Sequence, residues 1–315
     1  MSFSGEVKEE LSRHISSSRH CQIAELSAIV AFLGKIRQEE PGKERLCLQT
    51  ENEAVIRKSF TLLKKTFNID CNVDFFKTSG EEREHTYATL LTDDKQIEKV
   101  LQTVKMYSEN GIRQARQDGV NPLLVKNACC KRAFLRGAFL SVGSMSDPEK
   151  SYHMEFVCTH EAQAEQLKNL IKDFQVEVKI VMRKKYYVVY LKEGSGIVDI
   201  LNIMEAHVSL MNFENYRILK EMRNSINRKV NCETANITKT VNASSKQIED
   251  ILLIKDHYGF QRLPDNLKEA AQIRLEYPDA TLKELGQMLD PPVGKSGINH
   301  RLRRLSEIAD RIVTF

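Results

Sequence analysis

Two stretches of the chain are apolar almost without interruption, broken only by small residues, and they match each other. The first reads Leu26-Ser27-Ala28-Ile29-Val30-Ala31-Phe32-Leu33-Gly34, and the second Leu135-Arg136-Gly137-Ala138-Phe139-Leu140-Ser141-Val142-Gly143. Gly34 and Gly143 stand 109 positions apart, as do Ala28 and Gly137. A helix that is apolar all round is a buried helix. Ser27, Ala28 and Ala31 on one, and Gly137, Ala138 and Ser141 on the other, are small enough to let two such backbones approach closely.

The pattern around each stretch predicts the same series of elements. A short helix over Ser4–His14 precedes the first buried helix, Cys21–Arg37, which Glu40-Pro41-Gly42 breaks. Alternation predicts a strand over Arg45–Thr50, and helical spacing of Val55, Leu62, Leu63 and Phe67 a helix over Glu53–Phe67. Strands at Cys71–Phe76 and His85–Leu91 and a helix over Asp94–Tyr107 follow. The second series comprises a helix over Cys129–Ser141, a strand at Tyr152–Thr159 and a helix over Glu161–Phe174. Strands at Val176–Met182 and Tyr186–Leu191 and a helix after Gly194-Ser195-Gly196 complete it. A shared order at a shared offset indicates a duplicated α/β unit. Two unrelated α+β domains are the plainer alternative.

From Phe213 the pattern changes. Tyr216–Asn231 reads as a long basic helix, and the run to Ile248 is rich in Asn, Thr and Ser. This region contains Arg217, Lys220, Arg223, Arg228, Lys229, Lys239 and Lys246 against Glu221 and Glu233, so it exceeds the whole chain's net charge of +4. It is either a solvated linker or a hinge that also touches phosphate. Beyond it, Leu263-Pro264-Asp265 starts a helix that runs to Glu276, where Tyr277-Pro278 stops it. Thr281 and Glu284 form a capping box for a helix over Leu282–Leu289. After the turn Pro291-Pro292-Val293-Gly294 comes a third helix, Lys295–Ala309. It places Ile298, Leu302, Leu305 and Ala309 on one face and Ser296, Asn299, His300, Arg303 and Arg304 on the other, with Arg301 at the border. Three helices with a short break before the last suggest a helix-turn-helix. An RNA-binding or protein-binding three-helix bundle is the alternative.

Composition adds limits. Residues number 315, with 41% hydrophobic and 29% charged, as in ordinary globular proteins. Nucleic-acid affinity must therefore come from local clustering. Seven cysteines, at 21, 47, 71, 129, 130, 158 and 232, include no C-x-x-C pair and no histidine at ligand spacing, so neither a disulfide framework nor a zinc site is expected. His85, His153, His160 and Cys158 lie on or beside predicted strands without reinforcing spacing and are discounted as ligands. Gly194-Ser195-Gly196 reads as a helix cap rather than a phosphate cradle. The first residues show no signal pattern, and the longest apolar run is too short to span a bilayer.

The paired apolar helices resemble the LAGLIDADG helices of homing endonucleases, which pack together and end in an acid just before the final glycine. Here those acid positions are Leu33 and Val142. Further runs, Asn227-Arg228-Lys229-Val230-Asn231-Cys232-Glu233-Thr234-Ala235-Asn236, Lys239-Thr240-Val241-Asn242-Ala243 and Gly294-Lys295-Ser296-Gly297-Ile298-Asn299-His300-Arg301-Leu302, are similar to the WhiA family of DNA-binding regulators of Gram-positive bacteria. The resemblance covers nearly the whole chain. It implies an α+β fold: a duplicated LAGLIDADG-like αββαββ-type pseudo-dimeric domain that has lost cleavage, followed by an all-α helix-turn-helix domain resembling sigma-factor region four. It also implies roles in sporulation gene control, cell division and chromosome segregation.

The expected organisation is a first repeat over residues 1–120, a second over 121–212, a basic linker helix and hinge over 213–258, and a DNA-binding domain over 259–315 with its motif at about 280–313. Expected DNA contacts are Thr281, Lys283, Lys295, Ser296, Gly297, Asn299, His300, Arg301, Arg303 and Arg304, with Arg228, Lys229 and Lys239 as candidate phosphate contacts. No catalytic residue, metal or cofactor is expected. The expected partners are double-stranded DNA and another transcription factor or RNA polymerase, without a membrane, for a monomer containing an internal pseudo-dimer in the cytoplasm and nucleoid. Two alternatives remain: a nucleoid scaffold with weak sequence preference, and an endonuclease. Cleavage needs carboxylates to hold a divalent metal, and the substitutes available, Glu39, Glu40 and Asp147, are not equivalently placed.

Overall fold

A computed structural model of the chain describes residues 2–40, 43–77, 85–106 and 119–313. It contains two compact units, residues 1–220 and 221–315. The first unit contains α1 (Phe3–Arg13), α2 (Arg19–Leu33), β1 (Gly34–Glu40), β2 (Lys43–Thr50), α3 (Glu53–Phe67), β3 (Asn72–Lys77), β4 (His85–Leu91) and α4 (Asp94–Thr103). A 3₁₀ turn at Pro122–Val125 leads to α5 (Ala128–Val142), β5 (Gly143–Met145), β6 (Met154–Cys158), α6 (Glu161–Lys172), β7 (Lys179–Arg183), β8 (Tyr186–Leu191) and α7 (Gly194–Ile203). Two antiparallel sheets of the same order, β1-β2-β4-β3 and β5-β6-β8-β7, confirm the duplication.

The buried helices α2 and α5 are the two halves' common core. Each has 15 residues. Their backbones touch: a Cβ on Gly137 would lie 2.4 Å from the carbonyl oxygen of Glu25 and 3.0 Å from Ala28 Cβ. One side of α2, with Leu26, Ile29 and Val30, packs onto Leu46, Leu48 and Leu91 of the first sheet. Ala28 and Ala31 instead join the core of the second repeat, beside Ala138, Phe139 and Phe156. Ser27 and Ser141 satisfy their hydroxyls within their own helices, donating to Ala24 O at 2.7 Å and Gly137 O at 2.8 Å.

A buried ionic network crosses the same seam. Lys58 and Arg136 each reach Glu25 Oε1, at 2.9 and 3.1 Å, and all three side chains are at most 1% exposed. Arg136 also binds Glu205 Oε2 at 2.6 Å, Met204 O and Ser16 Oγ, while Lys58 donates to the carbonyls of Leu11 and His14. An arginine inside the second apolar stretch is thus fully paired, as a buried charge must be.

Two strands escape the sequence pattern. The first buried helix does not continue to Arg37; it ends at Leu33 and β1 begins at once, and β5 follows α5 in the same way. Gly34 and Gly143 are extended (ψ 137° and 147°), and their N–H groups close the helices on Val30 O and Phe139 O. The alternation in Lys35-Ile36-Arg37 is too short to oppose the preceding helical run. The repeat offset also shrinks: α4 and α7 stand one hundred positions apart, and the largest single step lies between the last two strands, where β7 and β8 are joined by Lys184-Lys185 alone and β3 and β4 flank residues 78–84. Tyr107, the expected end of the helix now seen as α4, lies outside the described residues.

The next helix, α8 (His207–His257), runs for 51 residues through the Asn-, Thr- and Ser-rich stretch where the sequence places a hinge. It contains neither Gly nor Pro, and Thr238 and Thr240 return their hydroxyls to the carbonyls four residues back, at 2.9 Å each. The rest of the second unit is α9 (Asp265–Glu276), α10 (Leu282–Gln287) and α11 (Lys295–Val313). The second of these is shorter than expected and the third longer. Their core joins Ile251 and Ile254 of α8 to Leu285, Leu289, Ile298, Leu302, Leu305 and Ala309. Among the described residues no helix is long and apolar enough to cross a membrane.

The contact at Gly137 generates a first prediction. Replacing Gly137 or Ala28 with Leu drives a side chain into backbone and should cost at least about 1–3 kcal/mol. Denaturant unfolding, followed separately by probes in each repeat, should show both halves losing stability together; a wild-type curve would mean that α2 and α5 do not pack there.

Candidate nucleic-acid interface

The third helix of the second unit is held in place by its neighbours. Arg274 of α9, 3% exposed, donates to Gln247 Oε1 of α8 at 2.8 and 3.0 Å and to Ala280 O at 2.8 Å, which fixes the turn before α10. Thr281 then caps α10: Glu284 N donates to its hydroxyl, and Glu284 Oε2 accepts from its N–H and its hydroxyl, each at 2.8 Å. Those bonds, the backbone one foremost, hold the Glu284 carboxyl below its usual range. The turn into α11 is closed by Val293 N donating to Gly286 O at 2.8 Å. A Cβ at Gly286 would meet Val293 O at 2.4 Å, so only glycine permits this approach.

The face of α11 divides as its spacing predicts. Ile298, Leu302, Leu305 and Ala309 are buried. Lys295, Ser296, Asn299, His300, Arg303 and Arg304 are exposed, and Gly297 is half-buried. From Lys295 to Arg304 there is no acid. Gly294, which accepts the first helical bond of α11 from Ile298 N, offers no capping side chain. Arg303 and Arg304 both reach Glu307, at 3.7 and 3.4 Å. Arg301 is the exception: half-buried, it pairs with Glu269 of α9 at 3.5 Å and donates to Asn266 O. Thr281 and Lys283 are exposed at the start of α10, with the Thr281 hydroxyl already engaged in the cap. On α8, Arg228, Lys229 and Lys239 are exposed, with Arg228 and Lys239 about three turns apart on one face.

In the first unit the ends of α2 and α5 line a cleft of about 590 Å³ with Lys8, Lys35, Glu51 and Ser144. Leu33 and Val142 stand at those ends, half-buried and packed on the apolar core. Glu51 is the one carboxylate lining the cleft among the described residues. Lys8 beside it is lowered to about 8 by burial, which outweighs the attraction of Glu51. Asp147 is exposed and accepts from Glu149 N in a surface turn. The side chains of Glu39, Glu40 and His85 lie outside the described residues. His153 is committed to Glu155, at 3.0 Å.

One cluster joins residues that the sequence keeps apart. His20, Cys21, Cys129 and Cys130 come together where α2 and α5 begin, with donor atoms within 4.8 Å of one another. Sequence spacing could not show this, since the partners are 109 residues apart and only the pairing of the helices joins them. The duplication itself was the available signal: the offset that relates Gly34 to Gly143 also relates His20 to Cys129 and Cys21 to Cys130. Burial and then the neighbouring thiols push the Cys21 thiol up to about 12, and Cys130 is raised for the same reasons.

Three family models match the chain: the WhiA N-terminal LAGLIDADG-like domain over residues 19–107, the WhiA LAGLIDADG-like domain over 131–223 and the WhiA C-terminal HTH domain over 226–309. A protein of Lachnoclostridium phytofermentans named "Probable cell division protein WhiA" is 53% identical, covering 98% of this chain and 99% of its own. One of the same name from Alkaliphilus oremlandii is 49% identical over 99% of this chain and 98% of its own. The crystal structure of full-length WhiA from Thermotoga maritima shares 25% identity and a TM-score of 0.59, covering 99% of each chain.

The cleft yields a pH prediction. Lys8 has a folded pKa near 8, below its ordinary 10.5. Between those values the unfolded chain holds the Lys8 proton more tightly, so the contribution of Lys8 to stability rises with pH from about 8 to about 10.5. Lys8→Met should therefore stabilise the chain at pH 7 and abolish that rise. Urea unfolding across the pH range checks both; an unchanged slope would refute the assignment to Lys8.

Proposed function

The chain belongs to the WhiA family, and on that premise we propose that it is a non-catalytic, sequence-reading double-stranded DNA-binding protein that regulates transcription in cell division, sporulation and chromosome segregation. The observation that carries this is α11: an acid-free run of Lys295, Ser296, Asn299, His300, Arg303 and Arg304 exposed on one face of a helix whose other face is a packed core. Arg reads guanine, and Asn adenine, through paired hydrogen bonds, while Lys and Ser at the helix start hold phosphate. Arg301, tied to α9, positions the helix. Thr281 and Lys283 supply backbone contacts at the start of α10. Arg228, Lys229 and Lys239 add charge that any sequence can use.

In this reading residues 1–120 and 121–212 form the scaffold halves, 213–258 the basic connector and 259–315 the DNA-reading domain, in a monomer of the cytoplasm and nucleoid whose protein partner is another transcription factor or RNA polymerase. Loss of cleavage rests on Leu33 and Val142. Neither side chain has an atom able to hold a divalent metal, whereas phosphodiester hydrolysis needs carboxylates for that purpose.

Binding titrations on preferred and scrambled duplexes at several salt concentrations test the reading. Arg303→Ala or Arg304→Ala should cost about 1–3 kcal/mol, mostly on the preferred site. Lys229→Ala or Lys239→Ala should weaken both duplexes alike and flatten the salt slope by about one unit. Equal losses on both duplexes for the arginine changes would remove α11 as the reader and favour a scaffold of weak preference. Incubated with duplex DNA and magnesium or manganese, the pure chain should leave both strands intact; nicking abolished by Asp147→Asn or Glu39→Gln would overturn the non-catalytic reading.

A further inference from the structure

The start of the paired helices holds a set of ligands that the DNA-binding reading does not use. His20 and Cys21 are the second and third residues of α2, and Cys129 and Cys130 the second and third of α5. His20 Nδ1 lies 3.2 Å from Cys130 Sγ, 3.3 Å from Cys21 Sγ and 4.0 Å from Cys129 Sγ. All four donor atoms fall within 4.8 Å of one another. A tetrahedral zinc ion, with Zn–S near 2.3 Å and Zn–N near 2.0–2.1 Å, needs N···S separations of about 3.6 Å and S···S separations of about 3.8 Å. The N···S distances bracket that requirement.

We propose that His20, Cys21, Cys129 and Cys130 bind one zinc ion in a Cys₃His site that clamps the two repeats together at the start of α2 and α5. Each repeat contributes two adjacent ligands from equivalent positions. Cys21 and Cys130 are buried against Ala24 and Ala133, which fixes two sulfurs. His20 and Cys129 are exposed, which leaves the ion a path in from solvent.

Binding replaces three thiol protons, released to buffer, with one dication, and leaves a site charge of −1 on a neutral imidazole and three thiolates. Four protein ligands fill the tetrahedron, so no position is open for substrate and the site is structural. A disulfide would use two sulfurs and leave unexplained why an imidazole nitrogen sits among all three.

The test uses the full chain, purified under reducing conditions without chelator. Elemental analysis should find one zinc per chain. The chelator-stripped chain, titrated with Co²⁺ alone, should develop the intense visible bands and thiolate-to-metal charge transfer of a tetrahedral thiolate site, bleached by one equivalent of Zn²⁺. Cys129→Ser should weaken metal uptake, and the Cys129→Ser/Cys130→Ser double variant should abolish it; Cys232→Ser should change nothing. Chelation should lower the melting temperature of the wild type and not that of the double variant. Since Cys129 is exposed, its single variant should fold, and the cobalt spectrum of the wild type stands whether or not the double variant does. A folded wild-type chain that takes up neither zinc nor cobalt stoichiometrically, an iron cluster in place of zinc, or uptake undiminished by Cys129→Ser would overturn the proposal.

Discussion

Everything in the first unit depends on how closely α2 and α5 approach. With the carbonyl of Glu25 only 2.4 Å from where a Cβ of residue 137 would stand, no large side chain fits between the two helices at that point. Small residues must line the seam, and the bulk needed to fill the core must come from the sheets, through Leu46, Leu48, Phe156 and Val189. A seam of small residues has little shape to fix its register, since many offsets pack about equally well. The ionic network supplies that register. Glu25 comes from α2, Arg136 from α5, Lys58 from α3 and Glu205 from the turn after α7. A buried ion pair adds little net stability compared with apolar packing, but a mispaired one costs several kcal/mol. One register pairs the three buried charges through Glu25 Oε1, and sliding either helix by a turn would strand them.

The same approach bears on the loss of the acids. In an acid-bearing pair of this kind, two carboxylates would meet where α2 and α5 end. Like charges that close repel unless a cation lies between them. Leu33 and Val142 remove the repulsion and add to the apolar core instead. The helix ends therefore carry no like-charge repulsion that a metal would have to offset. At the opposite ends the chemistry is reversed, with sulfur and imidazole where the closest residues could have been apolar.

Long periodic segments were legible from pattern alone. The buried helices, the two-sided α11, the capping box at Thr281 and Glu284 and the duplicated order all follow from spacing that only one backbone geometry satisfies. Short or long-range features were not. β1 and β5 are hidden because a glycine turns helix into strand without a polar break. The helical course of α8 through its Asn-, Thr- and Ser-rich stretch was masked by residues that individually favour turns, and which here bond back along the helix. Within the interface, exposure of Asn299, His300, Arg303 and Arg304 was readable, whereas the tether of Arg301 to Glu269 needed the packing of α9. The His–Cys cluster is the clearest case: two unremarkable dipeptides become one set of ligands only when the repeats pair.

Glu307 gives the proposed reading face a further property. It lies one helical turn beyond Arg303 and Arg304 and holds both in the free chain. An exposed pair of this type is worth about 0.2–1 kcal/mol, and any DNA contact by either arginine must first displace it. Against a phosphate, a single point contact in salt, much of the gain is cancelled. Against guanine, two parallel hydrogen bonds worth about 1–3 kcal/mol exceed it. In the proposed reading the acid subtracts the same small amount from every complex, so it lowers affinity for right and wrong bases alike and leaves their difference, which the paired hydrogen bonds to guanine set, unchanged.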